Sequence, residues 1–166
     1  HGKYTIWYEN KQLWQEGMYD HNQLVGLWKD YYDTGILKQE LPYVRNLLNG
    51  VLKYYYPSGK IQQELSYQND IINGKVISYH ENGVIQEAAL YSNNVPNGEF
   101  KSFYEDGQVQ FVKNYKNGLE YGTVTGYFEN GKLREKSFKI NGIYHNSHTM
   151  SGCSPWSSLL TVILNL

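Results

Sequence analysis

The chain has 166 residues, 40% hydrophobic and 19% charged, and its 15 basic and 16 acidic residues leave a net charge of −1. That balance argues against a strongly basic nucleic-acid binder, and a single cysteine excludes both an internal disulfide framework and a Cys-rich zinc site. Seventeen Tyr and 16 Gly against 2 Met and 4 Pro point to short strands joined by many tight turns.

In chain order, the first feature is Gly2, followed by the aromatic pair Trp7-Tyr8 and the aliphatic Leu13. The same group returns every 24 residues. Gly26, Gly50, Gly74, Gly98 and Gly122 continue the first column, and Tyr31-Tyr32, Tyr55-Tyr56, Tyr79-His80, Phe103-Tyr104 and Tyr127-Phe128 continue the pair. A second glycine column is Gly35, Gly59, Gly83, Gly107 and Gly131, with Lys11 in its first copy. Leu37, Ile61, Ile85, Val109 and Leu133 follow it, and Tyr19, Tyr43, Tyr67, Tyr91 and Tyr115 close each copy. Five columns in register define six tandem copies.

Within each copy the first half, such as Val51-Leu52-Lys53-Tyr54-Tyr55-Tyr56, has strand composition. The second half, Lys60 to Tyr67, alternates with Ile61, Leu65 and Tyr67 on one side, which also predicts a strand. Between them the second glycine column sits in hairpin turns that require positive φ, as in Glu81-Asn82-Gly83 and Glu105-Asp106-Gly107. A six-residue connection then leads to the next copy, often through Asn-Gly, as at Asn49-Gly50, Asn73-Gly74 and Asn97-Gly98. Each copy is therefore one β-hairpin. Twelve strands at about 4.8 Å spacing predict an all-β, single-layer, twisted antiparallel sheet. The array spans residues 2–145, and residues 146–166 form a tail outside the repeat.

This order of Gly, aromatic pair, Gly, aliphatic and Tyr resembles the MORN-repeat family in its bacterial variant form, most closely in Gly50–Tyr67 and Gly98–Tyr115. The resemblance implies a β-hairpin solenoid used as a binding or scaffolding surface, in proteins often labelled antitoxin-like. It implies no catalytic residue, no cofactor and no metal ligand.

The candidate partner-binding residues are the aromatics Trp28, Tyr31, Tyr55, Tyr79, Phe100, Phe103 and Tyr127, because a thin sheet cannot bury both faces. The expected partner is a protein or peptide, held on the aromatic face or a terminal edge. Direct neutralisation of a toxin is one alternative. Membrane association through a lysine stripe (Lys29, Lys53, Lys101, with Lys3 and Lys75 nearby) is another, against which edge protection and solubility are the plainer use of those lysines. Gln15-Glu16, Gln39-Glu40 and Gln63-Glu64 read as a hydrogen-bonded ladder or solvated edge rather than a catalytic carboxylate pair.

Cys153, His145 and His148 lack metal-ligand spacing, so an incidental cysteine is the reading there. The uncharged run Leu159 to Leu166 has three readings: a capping strand, a segment swapped into a second copy, or foreign sequence. No stretch reaches the roughly 18 apolar residues of a membrane helix. The opening His1, in place of Met, leans the expectation toward a secreted or envelope setting.

Overall fold

The computed structural model describes residues 1–145, and from Gly2 onward all of them lie in or between strands of one antiparallel sheet. Expectations about the tail, Cys153 and His148 fall outside the described residues. The strands follow one another as an uninterrupted meander: β1 (Gly2–Trp7), β2 (Leu13–Asp20), β3 (Gln23–Tyr31), β4 (Leu37–Val44), β5 (Leu47–Leu48), β6 (Gly50–Tyr55), β7 (Ile61–Gln68), β8 (Ile71–Tyr79), β9 (Ile85–Ser92), β10 (Val95–Phe103), β11 (Val109–Lys116), β12 (Leu119–Glu120), β13 (Gly122–Tyr127), β14 (Leu133–Ile140) and β15 (Ile143–His145). The count is 15 rather than twelve. The short pieces β5 and β12 precede β6 and β13 where other copies have one longer strand, and β15 adds a final edge.

Two kinds of turn alternate. On one side Tyr32 N–H donates to Ile36 O and Gly35 N–H to Tyr32 O, both at 2.8 Å, with Gly35 at φ +82°. That is a three-residue loop closed by a left-handed glycine. Lys11 takes the same conformation at φ +67°, a position where a side chain costs roughly 1–2 kcal/mol.

On the other side the expected six-residue loops are instead tight two-residue turns. Arg45-Asn46, Asn69-Asp70 and Asn93-Asn94 hold positive φ at both positions, as a type I′ hairpin demands. Asn-Gly at 49–50, 73–74 and 97–98 is therefore not a turn. Its glycines lie within or at the start of a strand, at φ +127°, +123° and +121°. Two of them, Gly74 and Gly98, lie where the register to the preceding strand shifts.

Both sides are tied from copy to copy. Tyr8, Tyr32, Tyr56 and Tyr104 donate their hydroxyls to the backbone carbonyls of Tyr31, Tyr55, Tyr79 and Tyr127 at 2.6–2.8 Å. His80 makes the equivalent contact to Phe103 O at 2.9 Å. At the opposite turns, Leu24, Leu48 and Ile72 N–H donate to the side chains of Asn46, Asp70 and Asn94, each at 2.7 Å. A lone hairpin is marginal in water, and these links make each one the template for the next.

The packed side, face A, carries the small core. Trp28, Leu52, Leu65 and Val124 are its buried apolar residues. Side chains facing one another between copies complement in size. Trp28 lies over Gly17, Phe100 is paired with Ala89 and Val76 with Leu65. The Trp28 ring also packs against Tyr4, Tyr19 and Tyr43, with centroids 5.2–6.5 Å away.

Candidate functional site

Alternation along each strand puts Tyr31, Tyr55, Tyr79, Phe103 and Tyr127 on the opposite side, face B. Trp28 and Phe100 precede Tyr31 and Phe103 by three residues, an odd step, and so lie on face A. Trp28 is only 4% exposed, which removes it from a partner-facing set and makes it a packing residue. Phe100 is half-buried against Tyr115, with centroids 6.1 Å apart. The expectation of a single aromatic surface including these two is thus corrected: five of the seven residues share a face.

Face B is organised by a repeating triad. Glu16 accepts from Tyr31 Oη at 2.8 Å and pairs with Lys3 at 3.1 Å. Glu40 accepts from Tyr55 Oη at 2.9 Å and lies 3.8 Å from Lys29. Glu64 accepts from Tyr79 Oη at 2.9 Å and pairs with Lys53 at 3.3 Å. Each carboxylate thus joins a lysine of its own hairpin to a tyrosine of the next. Lys3, Lys29 and Lys53 of the lysine stripe are ion-paired locally, as is Lys101 with Glu99 at 2.7 Å, which weakens any pull on anionic lipid. The glutamate half of the Gln-Glu series is the hydrogen-bonded ladder. Its glutamines go to face A, where Gln15 Nε2 donates to Asp30 at 2.7 Å and Gln39 donates to the same carboxylate.

Burial and the hydrogen bonds to Glu16 and Glu40 push Tyr31 and Tyr55 up to about 12. The Tyr31 hydrogen bond, then Lys3, holds Glu16 below its ordinary value. A phenol whose folded value is raised stabilises the fold fully below its ordinary value near 10, and loses that contribution as pH rises through about 12. Stability is therefore expected to fall across that window, and the double variant Tyr31→Phe/Tyr55→Phe to flatten the fall. Urea unfolding at stepped alkaline pH measures both.

In the fourth copy all three triad positions change together. Ile77 stands where lysine would be, Ala88 where glutamate would be, and Phe103 where the next copy's tyrosine would be. An ion-paired, hydrogen-bonded unit is replaced by an apolar one, and the short Ala88 leaves a hollow of about 260 Å³ lined by Lys75, Ile77, Ala88, Leu90, Glu99 and Lys101. Leu90 is 42% exposed at its rim. Trp7, Met18, Leu27 and Val51 are also exposed on this face. The simultaneous loss of Lys, Glu and Tyr was visible in the sequence as residues 11 and 26 apart (77, 88 and 103), but only the strand pairing sets Ile77 opposite Ala88 and places Phe103 on the strand that follows them.

At the β1 edge, Asp20 Oδ1 bridges Nδ1 of His1 and His21 at 2.7 and 2.8 Å. These three could supply metal ligands, but both imidazoles are exposed and exposed acidic groups of this kind are common without an ion. Among the described residues, no helix is long and apolar enough to cross a membrane.

The family described as MORN repeat variant matches residues 1–21, 24–45, 48–69, 72–93, 96–117 and 120–139. Its repeats are non-catalytic modules for contacts with proteins or membranes. No curated protein matches the chain.

Proposed function

Because the chain belongs to the MORN repeat variant family, we propose that it is an interaction module that seats a protein or peptide partner on face B. The observation that carries this reading is the switch at Ile77, Ala88 and Phe103. A sheet that needed only to fold could have kept the Lys-Glu-Tyr unit of the preceding copies. The apolar hollow offers a place for one or two apolar side chains, and Lys75, Lys101 and Glu99 offer polar contacts at its rim. Tyr31, Tyr55, Tyr79 and Tyr127 extend the contact surface along the sheet. Neutralised lysines and exposed apolar residues on the same face favour a protein over an anionic bilayer.

The test restores the triad with Ile77→Lys, Ala88→Glu and Phe103→Tyr. The preceding copies hold the Glu–Tyr bond three times and the lysine at this position twice (Lys29 and Lys53), so the variant is expected to melt at or above the wild-type temperature. Affinity purification from the source cells, with mass spectrometry, is expected to recover a partner with the wild-type chain and lose it with the variant. Equal recovery by both would remove face B of the fourth copy as the seat.

A further inference from the structure

A second feature lies on face A, and of the three residues of the proposed partner seat Phe103 alone also borders it. One column there runs Ile6, Asp30, Tyr54, Ser78, Ser102 and Gly126. Its side chains fill the sheet surface at first, and then become short. Two hollows open where they do, of about 450 and 400 Å³. Ser78 lines the first and Ser102 the second, and Gln86 is shared by both. The two form one trench that crosses the strands.

Its chemistry is specific. Gln62, Gln63 and Gln86 present amides that both donate and accept, and Gln110 continues the row. Tyr54 and Tyr56 flank the first hollow, and His80 and Tyr104 the second. Ser78 Oγ is enclosed with no hydrogen-bond partner among the described residues, an arrangement that costs free energy unless something meets it. Ser102 Oγ has only a long contact, 3.3 Å, to Gln110. No lysine or arginine lines either hollow, whereas Glu87, Glu105 and Glu129 border the second. Phosphorylated, sulfated and other anionic ligands are therefore disfavoured.

We propose that this trench binds a neutral, extended oligosaccharide. Amides and hydroxyls that donate and accept match sugar hydroxyls, and ring faces match the apolar faces of pyranoses. The hollows repeat once per hairpin, two strands or about 10 Å apart, a distance comparable to one disaccharide of an extended β-linked glycan. An extended peptide is the weaker fit. The trench crosses strands whose backbone groups are already paired, so strand addition is not available to it, and its floor is polar where peptide side chains would need apolar pockets.

The test uses the full chain and calorimetric titration with neutral β-linked gluco-, xylo- and N-acetylglucosamine oligomers of two to six units. At least one series is expected to bind, with affinity rising about tenfold or more from two units to four as the second hollow is engaged. Ser78→Tyr, which copies the Tyr54 position of the neighbouring repeat, is expected to keep the melting temperature and weaken binding by at least tenfold. Gln86→Ala, at an exposed position shared by both hollows, is expected to do the same. No binding in any series, binding that neither variant changes, or displacement of the sugar by an unrelated extended peptide but not by excess sugar would each overturn the assignment.

Discussion

Trp28→Ala is expected to destabilise the fold by about 3–5 kcal/mol and to lower the melting temperature by roughly 10 °C. The ring is one of few buried side chains in a single-layer sheet, so its loss leaves a cavity that face A has little other material to fill. Its position is complementary to Gly17. A Cβ built on Gly17 would lie 2.1 Å from the indole. Gly17→Leu alone is therefore also destabilising. The equivalent neighbours one copy later are Leu41 and Leu52, so Gly17→Leu with Trp28→Leu recreates a pairing that the sheet already contains. The double variant is expected to be clearly more stable than the sum of the two single losses allows. Urea unfolding of the four proteins decides it. Strict additivity would mean that the two residues do not share a site.

Gly98→Val is expected to cost about 2–4 kcal/mol, combining strain with overpacking. Its φ of +121° is closed to branched side chains, and a Cβ there would meet the Leu90 side chain at 3.1 Å. Gly83→Val isolates the first effect, because φ is +92° but nothing lies within 4 Å of the added carbon. It should cost less, about 1–3 kcal/mol. Thermal melting of both variants orders them. A smaller loss at Gly98 than at Gly83 would contradict the close approach of β9 and β10 at this point.

The fold was largely legible because its signals are local and repeated. A glycine at the left-handed position of five of the six three-residue turns, and an aromatic pair before it, recur with a period that strand pairing turns into spatial columns. The second set of turns was not legible in the same way. Pairs such as Arg45-Asn46 and Asn93-Asn94 adopt positive φ without glycine, and although Asn117-Gly118 and Asn141-Gly142 do form such turns, the Asn-Gly pairs at 49–50, 73–74 and 97–98 sit in or at the start of strands. Side-chain direction was partly legible. Parity alone separates Trp28 from Tyr31 and Phe100 from Phe103, yet composition groups them as aromatics. What needed the register was the coupling between columns: Glu16 to Tyr31, Glu40 to Tyr55, and the joint replacement at Ile77, Ala88 and Phe103. Those positions lie 15 residues or more apart in part, and only a pairing of known offset brings them together. The trench on face A was hidden for a related reason, since Ser78 and Ser102 are unremarkable until their neighbours are seen to be larger.

The central claim is that one thin sheet has a packed side and an open side, with the partner seat on the open one. Hydroxyl-radical footprinting read by mass spectrometry tests it directly. Trp7, Met18, Leu27 and Leu90, exposed on face B, are expected to be oxidised readily, while Trp28, Leu52 and Leu65 stay protected until the chain is unfolded. Comparable oxidation of Trp7 and Trp28, or protection of Leu27 and Leu90 in the isolated chain, would contradict it.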